Sequence, residues 1–471
     1  MSIDLPPPPP AYVLTEPNTV SQTAGAQPVA AAPVTSQQAA TDRSISQQDP
    51  STGLGCNTHV VVASPAIPAN QPHLLGDWGG IRTGLEDAGI TPSVQYIAMP
   101  AWNVNGGTGS KTAYTAQLTF GGKFDLGKIA GIKGGSIQGL ITNRHGSNVN
   151  QTAEIGLLQF PQAVWGAGQV WRLSQMFYLQ KFGASELKVG RMSVGEDFGT
   201  APCFFESLTF CGIVPGHISP QYWYNPPVSV WGARTRIADK LGYTQVGVYE
   251  LNPDNLDPQR GFNLSMSGAT GALIPVERAF TVKLGGDASR SGIYKIGIWH
   301  DTSVSNDLVR DIDGNYAALT GRPAARKRGR WGGYVVVRQQ LHGPDADGAG
   351  AVNVNFSGVI TDGRTNLIHS IFVAGITRTG LIAGRPKDEA GIAFARTHIN
   401  GRLADVQQIQ YDQGITDRVP QQSEYVAEIT YSFAVHPALS IRPNVQFYLH
   451  PSGRNDRPTV VVFGASAFVT L

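Results

Sequence analysis

Arginine side chains stand at alternate positions within otherwise apolar segments of this sequence. Arg234 and Arg236, for example, alternate with Trp231, Ala233 and Ile237. Such spacing puts the charged groups on one face of a β-strand and the apolar groups on the other. A guanidinium donates several hydrogen bonds from a rigid planar frame, which suits adjacent hydroxyl groups. The pattern therefore predicts transient binding of polar solutes along a wet surface.

We expect a set of charged and aromatic residues to share this wet surface. Within it, the carboxylate of Glu428 would accept hydrogen bonds from hydroxyl groups and hold an arginine in place. For any single residue, the alternative is a charge that only lines a wide wet wall and pairs with its neighbours. The predicted set is Arg144, Arg172, Tyr178, Lys188, Arg191, Glu196, Asp197, Trp223, Arg234, Arg236, Glu428 and Arg442.

The segment 193–227 is the best candidate for a constriction of the wet space. It is long, and it carries the carboxylates of Glu196 and Asp197 and the ring of Trp223. Folded inward, the carboxylates would face basic residues of the wall and set up a transverse field. Cys203 and Cys211 are close enough in sequence to close a small ring, worth about 2.5 kcal/mol in the loop-entropy model. The alternative is a lid packed on the outside.

The elements that position these residues are long alternating strands. In the last of them, Val461, Phe463, Ala465 and Ala467 begin an apolar row that runs to the carboxyl terminus. The alternating runs reach the roughly 9–11 residues that a tilted strand needs to cross a bilayer. Strands of soluble sandwiches are usually shorter, about 5–6 residues. Placing Arg442 against lipid would cost about 2–4 kcal/mol near the midplane, so its row must face water.

Alternation and turn signals beyond residue 91 predict about 16 strands, an even number as in single-chain bacterial barrels. Three of them are predicted at 279–285, 292–301 and 331–341. Long connections tend to follow odd-numbered strands and short ones even-numbered strands, as in outer-membrane barrels. We therefore predict an all-β fold, a transmembrane antiparallel β-barrel, closed so that no strand edge is unpaired in hydrocarbon. Register is weakest at 367–378 and 390–399, because Arg396 and His398 fall on the apolar row.

The composition of the 471 residues agrees with this interpretation. Only 15% are charged, 56 are glycine, and no run of about 18 apolar residues predicts a membrane helix. The net charge of +2 argues against a nucleic-acid partner. The histidines are scattered, so no metal is expected, and no cofactor or enzyme motif is present. GTGSKT (107–112) lacks the glycine that precedes lysine in a phosphate loop and fits a hairpin turn.

Three regions follow from these patterns. Residues 1–70 are rich in Pro, Ala and Gln and predict a disordered arm that cannot bury enough apolar surface to fold. Residues 71–91 predict a short helix and a periplasmic lead-in, and 92–471 the barrel. A barrel of this kind must be exported. Because the first residues show no signal pattern, we expect the numbering to begin after a removed signal or at a misplaced start.

Several motifs, in order, resemble those of the carbohydrate-selective porin family OprB. They are GDWGGIR (76–82), VGR (189–191), WGARTR (231–236), GVYELNP (247–253), GIYKIG (292–297), GRPKD (384–388) and RPNVQF (442–447). The resemblance covers roughly residues 74–471. It implies a sixteen-stranded barrel in the outer membrane of a Gram-negative bacterium, with inward-folded loops and passive uptake of sugars such as glucose. The chain departs from the family in its terminal Leu471, where such barrels usually end in Phe, and in its Pro-rich arm.

The partners that this interpretation implies are small sugars, outer-membrane lipid, and barrel-assembly machinery that recognises the last strand. A homo-oligomer is left open. A general or anion-preferring porin is an alternative if lumen arginines outnumber well-placed carboxylates. A plugged structural or adhesin barrel is another, whereas a soluble lectin or propeller is disfavoured by strand length. The basic cluster RKRGR (326–330) is predicted on the outer side, either to bind lipid phosphates or as an ordinary solvated cluster.

Overall fold

The computed structural model describes residues 73–212, 214–286, 290–346 and 348–471. In this part of the chain, sixteen antiparallel strands form one closed barrel, in which each strand pairs with its chain neighbours and the first pairs with the last. The predicted fold class is confirmed. The arm predicted for residues 1–70 lies outside the described residues.

Most of the long connections follow odd-numbered strands, as predicted, but 104–110 and 362–367 are shorter than the connections that come after them, 126–134 and 380–388. The strands are β1 Ile90–Asn103, β2 Lys111–Asp125, β3 Gly135–Gly146, β4 Trp171–Phe182, β5 Ser185–Met192, β6 Val230–Asp239, β7 Gly242–Leu251, β8 Gly271–Lys283, β9 Ser291–Asp311, β10 Ala324–His342, β11 Val352–Thr361, β12 Ile368–Thr379, β13 Glu389–Ile399, β14 Ser423–His436, β15 Leu439–Leu449 and β16 Val460–Thr470.

Short helices lie in the connections. They are α1 Ile81–Asp87, α2 Leu126–Ala130, α3 Val149–Thr152, α4 Val194–Asp197, α5 Val214–Ile218, α6 Ala317–Thr320 and α7 Gly401–Asp412. Among the described residues, none of the helices has the length and apolar character that crossing a membrane would require.

The two faces of the wall differ as the alternation predicts. On β15, Ile441 and Leu449 are exposed on the outside, whereas Arg442 and Asn444 are buried on the inside. On β14, the apolar Val426 lies on the polar row, points inward and is fully buried. A continuous exposed apolar surface of this kind is stable only against another apolar phase. Here that phase is the hydrocarbon of the outer membrane.

Among the strands that are longer than predicted, β8, β9 and β10 differ most from their predicted bounds. β8 begins at Gly271 and not at 279. The predicted start was too late because Pro275 interrupts the strand pattern, and proline is unusual inside a paired strand. Ile274 and Pro275 accordingly form no residue pair with β7, whose pairing passes from Val246↔Val276 to Tyr249↔Leu273. β9 and β10 continue past their other neighbours as a two-stranded ribbon, so the segment 302–330, predicted as a loop, is largely strand.

The segment before β1 is docked against the end of the chain. Arg82 of α1 donates from Nη2 to the backbone oxygen of Leu471 at 3.0 Å, and the Leu74 N–H donates to Thr470 O at 2.8 Å. The guanidinium of Arg82 also stacks on Trp78. The helix predicted within 71–91 is therefore present as α1, and it fixes the start of the barrel to its last strand.

Candidate functional site

The connection between β5 and β6, residues 193–229, lies inside the barrel, and we call it the crossing loop. Its rings of Phe198, Tyr222 and Trp223 have no exposed surface and pack in the same apolar cluster as wall residues. The structure thus places this segment in the lumen and not outside as a lid.

The loop is first held by a charge cluster at β5 and β6. Lys188 Nζ lies 3.1 Å from Asp197 Oδ2 and 3.7 Å from Glu196, while Arg234 Nη2 lies 3.2 Å from Asp197 Oδ1. Burial raises the pKa of Glu196 to about 8, since Lys188 offsets it only in part. Burial also acts to raise the pKa of Asp197, but Lys188, Arg234 and Arg236 together lower it to about 2. Asp197 is therefore the charged partner of the two bases at neutral pH.

The next turn of the loop is held by β8, β9 and β10. The Gly199 N–H donates to Glu277 Oε2 at 3.0 Å and to Tyr334 Oη at 3.1 Å. Lys295 Nζ donates to Thr200 O at 3.0 Å. These polar wall residues were not singled out from the sequence, although they sit on the inner rows of their strands.

The far end of the loop is bound by the opposite wall. Glu428 of β14 accepts the backbone N–H groups of Glu206 at 2.7 Å and Ser207 at 2.9 Å. Asn444 Nδ2 donates to Glu206 Oε2 at 2.7 Å, and Arg442 Nη1 donates to Phe204 O at 3.1 Å. Burial and the neighbouring Glu428 raise the pKa of Glu206 well above its usual value. The loop therefore spans the lumen from β5 to β14 and β15.

Two further features shape this obstruction. Cys203 and Cys211, which the sequence left as a possible pair, form a disulfide that closes the part of the loop that touches β14 and β15. A second connection, 147–170, also folds inward: Arg144 Nη1 donates to Trp165 O at 2.8 Å, and Gln446 Nε2 donates to Pro161 O at 3.1 Å. Its apolar residues, such as Val164, are buried. In the sequence, these apolar residues were the signal that this connection folds inward.

Most of the predicted basic residues face the lumen but do not border open space. Arg144, Arg172, Arg234 and Arg442 are at most 5% exposed. Arg172 illustrates why: its Nη1 donates to Asn255 O at 2.8 Å, and its Nε donates to Ala167 O at 2.8 Å. Arg144 and Arg442 likewise donate to backbone oxygens of inward-folded segments, and Arg234 pairs with Asp197 of the crossing loop, so the first role of all four is to support the constriction.

Tyr178 does not face the lumen, which corrects the prediction. It pairs across strands with Ile137 and Val189, which are 41% and 43% exposed on the outer surface. The register of β3 against β4 shifts so that Ser174 is an extra residue. Such a bulge exchanges the inner and outer rows beyond it. Phe177 consequently points inward, with its ring 4.1 Å from Lys188 Nζ.

Arg191 is also on the outer side of the wall. It lies three positions after the inward-facing Lys188, an odd interval, and pairs with the exposed Met176. Its guanidinium is nevertheless buried, because it donates to Ser229 O at 2.6 Å and lies 3.8 Å from Glu250. Arg191 thus belongs to the packing beside β6 and β7 and not to the lumen surface.

The polar groups that keep some exposure lie on either side of the crossing loop. Arg236, with 25% of its side chain exposed, pairs with Glu186 at 3.4 Å near the end of β6. Toward the long connections, Arg330 pairs with Asp301 and stacks 4.1 Å above Tyr222. Trp223 is fully buried, with its ring 5.0 Å from that of Trp299, so it offers no free face for stacking in this conformation.

Comparison with known proteins agrees with this architecture. The profile of the protein family described as "Carbohydrate-selective porin, OprB family" matches residues 109–470. Porin B of Pseudomonas aeruginosa is 35% identical over 429 residues, which cover 88% of this chain and 93% of that protein. The high-pH structure of Pseudomonas putida OprB superimposes with a TM-score of 0.81 at 33% identity, covering 86% of this chain and 100% of that one.

Proposed function

Because this chain belongs to the OprB family of carbohydrate-selective porins, we propose that it lets small sugars, of the glucose type, diffuse across the outer membrane. The observation that carries the proposal is the crossing loop, which narrows the lumen. On either side of the loop lie hydrogen-bonding groups of the wall, Arg236 with Glu186 on one side and Arg330 with Asp301 on the other. The OprB family and Porin B are both named as porins, which are channels and not enzymes. Passage is then passive, and selectivity comes from the size and chemistry of the constriction.

The pairing of charges favours neutral solutes over anions. Arg234 lies 3.2 Å from Asp197, and Arg330 pairs with Asp301. A guanidinium whose charge is already balanced by a carboxylate attracts a free anion only weakly, but its remaining N–H groups still donate to hydroxyls. The anion-preferring alternative requires an excess of unbalanced positive charge, which these pairs do not supply.

Arg236 and Glu186 are the pair that we assign to sugar contact. The pair is partly exposed, and Arg236 Nε donates to Gln245 Oε1 at 2.9 Å, which fixes the plane of the guanidinium. A fixed donor beside a carboxylate acceptor matches two neighbouring hydroxyls of a sugar ring. The other buried arginines of the lumen act by positioning the loop.

The test is swelling of liposomes that contain the purified protein, in glucose, in a disaccharide and in the salt of a small anion. We expect glucose to enter fastest. Arg236→Ala should change the ratio of glucose to disaccharide rates, whereas Arg278→Ala, an arginine paired with Asp239 on the outer face, should not. Glucose entering no faster than an impermeant sugar would refute diffusion and favour the plugged structural barrel.

Two partners also belong to this proposal. The last strand, β16, is the segment that we expect barrel-assembly machinery to recognise. Association of several copies of the chain stays a prediction, to be measured by the mass of the protein in detergent.

A further inference from the structure

The basic cluster 326–330 is divided by a β-bulge into an inner and an outer part. The register of β9 against β10 shifts between Arg328 and Arg330, so that Arg330 turns inward to Asp301. Arg326 and Arg328 pair with Asn306 and Val304, which are exposed on the outer face. We call Arg326 and Arg328 the outer basic pair.

Neither guanidinium of this pair has a partner in the described part of the chain, and both residues are exposed. The carboxylates of β9 do not serve them, because Asp301 is bound by Arg330 and Asp307 by Arg402 on the inner side. Two positive charges close together on one row therefore remain unbalanced. The fields of the two charges add, so an anion that lies between them is attracted by both.

The position of the pair defines which anion. Trp331 follows on the same row and is 49% exposed, as Trp102 and Trp171 are 44% and 45% exposed at the corresponding ends of β1 and β4. Exposed tryptophans in such a ring mark the boundary between hydrocarbon and headgroups. Three residues of strand separate Arg328 from Trp331, about 10 Å. The pair thus lies at the level of the headgroups of the outer leaflet.

We propose that Arg326 and Arg328 bind the phosphate group of a phosphorylated glycolipid in the outer leaflet, whose acyl chains lie against the apolar row below Trp331. The neighbouring Arg364 donates from Nη2 to Gly329 O at 2.9 Å and is held by Asp362, which steadies the bulge beside the site. Guanidiniums suit phosphate oxygens through paired N–H donors. The proposal depends on the fold and the membrane location and is independent of the solute transported.

The experiment measures lipid retained by the purified protein in detergent, by native mass spectrometry. The probes are bisphosphorylated lipid A, its dephosphorylated form, and inorganic phosphate. We expect the intact chain to retain lipid A, and Arg326→Gln/Arg328→Gln to bind it about tenfold more weakly. Arg326→Lys/Arg328→Lys keeps the charge but loses the paired donors, so it should bind lipid A more tightly than the Gln variant and less tightly than the intact chain. The control Arg260→Gln/Arg322→Gln removes two exposed arginines already paired with Asp254 and Asp313 and should bind normally.

Three results would overturn the proposal. The first is equal retention of lipid A by the intact chain and by the Arg326→Gln/Arg328→Gln protein. The second is equal retention of lipid A and its dephosphorylated form, which would mean that only the acyl chains bind. The third is complete displacement of lipid A by an equal concentration of inorganic phosphate, which would indicate a site for free anions. Because neither guanidinium has a hydrogen-bond or ion-pair partner in the described chain, folding of the variants should be normal, and heat-modifiable migration checks it.

Discussion

Glu428 is the residue on which the position of the crossing loop depends most directly. Its two carboxylate oxygens accept the N–H groups of Glu206 and Ser207, and it has no exposed surface. Hydrogen bonds to a charged group contribute about 1.5–3 kcal/mol each. A buried carboxylate that binds backbone N–H groups thus fixes the course of a loop more firmly than contacts between side chains do, because backbone groups left without a partner inside the barrel are costly.

Glu428→Ala is expected to release the far end of the loop. Loss of about 3 kcal/mol shifts the equilibrium between bound and released loop by about 100-fold. Single-channel conductance and the rate of disaccharide permeation should both rise, with the barrel still folded. Ile429→Ala, the outward-facing neighbour on β14, is the matched control. Unchanged conductance in a folded Glu428→Ala protein would show that Glu428 does not hold the loop.

Glu196 should make the near end of the loop sensitive to alkaline pH. Its pKa is about 8 in the barrel against a usual value of 4.5. A carboxyl group with a raised folded pKa stabilises the folded state fully below about 4.5 and loses that contribution as pH rises through about 8. The pKa of Asp197 is shifted in the opposite direction, so its contribution to stability is present at neutral pH. That contribution is lost only as pH falls from 3.8 toward about 2.

Between pH 6 and pH 9, therefore, Glu196 changes its charge and Asp197 does not. Proteolysis of the crossing loop in the intact barrel should be faster at pH 9 than at pH 6. Glu196→Gln cannot ionise and should remove that difference, after correction for the pH dependence of the protease on a reference peptide. A pH effect of the same size in the variant would assign it to another group.

At the scale of elements, alternation predicts where strands lie but not always which face a residue occupies. Strand positions follow from local spacing, so β14 to β16 were predicted within a few residues of their observed ends. The face depends on bulges, which no local spacing reveals. Ser174 in β4 reverses the side of Tyr178, and the shift in β10 turns Arg330 inward. In β12 and β13 the alternation of the sequence is weakest, and the register places Arg396 and His398 on the outer row.

In the candidate site too, features set by local sequence were predictable and features set by distant contacts were not. The crossing loop was predicted from its length and its carboxylates, which are local properties. The sequence could not predict that Arg144 and Arg172 donate to backbone oxygens of 147–170 and 252–270. Those contacts join segments that are far apart in sequence. Apart from Arg191, the arginines were assigned to the correct face, yet the groups left for solute differ from the predicted set.

The disulfide gives the crossing loop a measurable stability of its own. Cys203→Ser/Cys211→Ser should lower the stability of the loop by about 2.5 kcal/mol, as expected for closing so short a ring. Limited proteolysis within 193–229 should accelerate while the barrel fragments stay associated. Cys56→Ser, which leaves the bridge intact, is the control. If the double variant were cut no faster than the control, the contacts of Glu428 and Arg442 alone would account for the stability of the loop.

For the whole molecule, the decisive property is the difference in environment between the outer and inner faces of one continuous wall. Ile298 lies on the outer row of β9, 63% exposed, and pairs with Val276 of β8 in the middle of the barrel wall. Asn306 lies on the same outer row, but on the ribbon beyond the end of β8, and is exposed. Both positions are on the outer side of β9, but they lie at different heights relative to the membrane.

Ile298→Arg is therefore expected to destabilise the barrel by about 2–4 kcal/mol, the cost of a guanidinium in hydrocarbon near the midplane. Asn306→Arg should have no comparable effect, because that position faces water or headgroups. Urea unfolding in lipid vesicles, followed by tryptophan fluorescence, measures both. Equal stability of the two variants would mean that the outer row of β9 does not pass from hydrocarbon to water between Ile298 and Asn306. The membrane position assigned to Trp331 and the outer basic pair would then also be wrong.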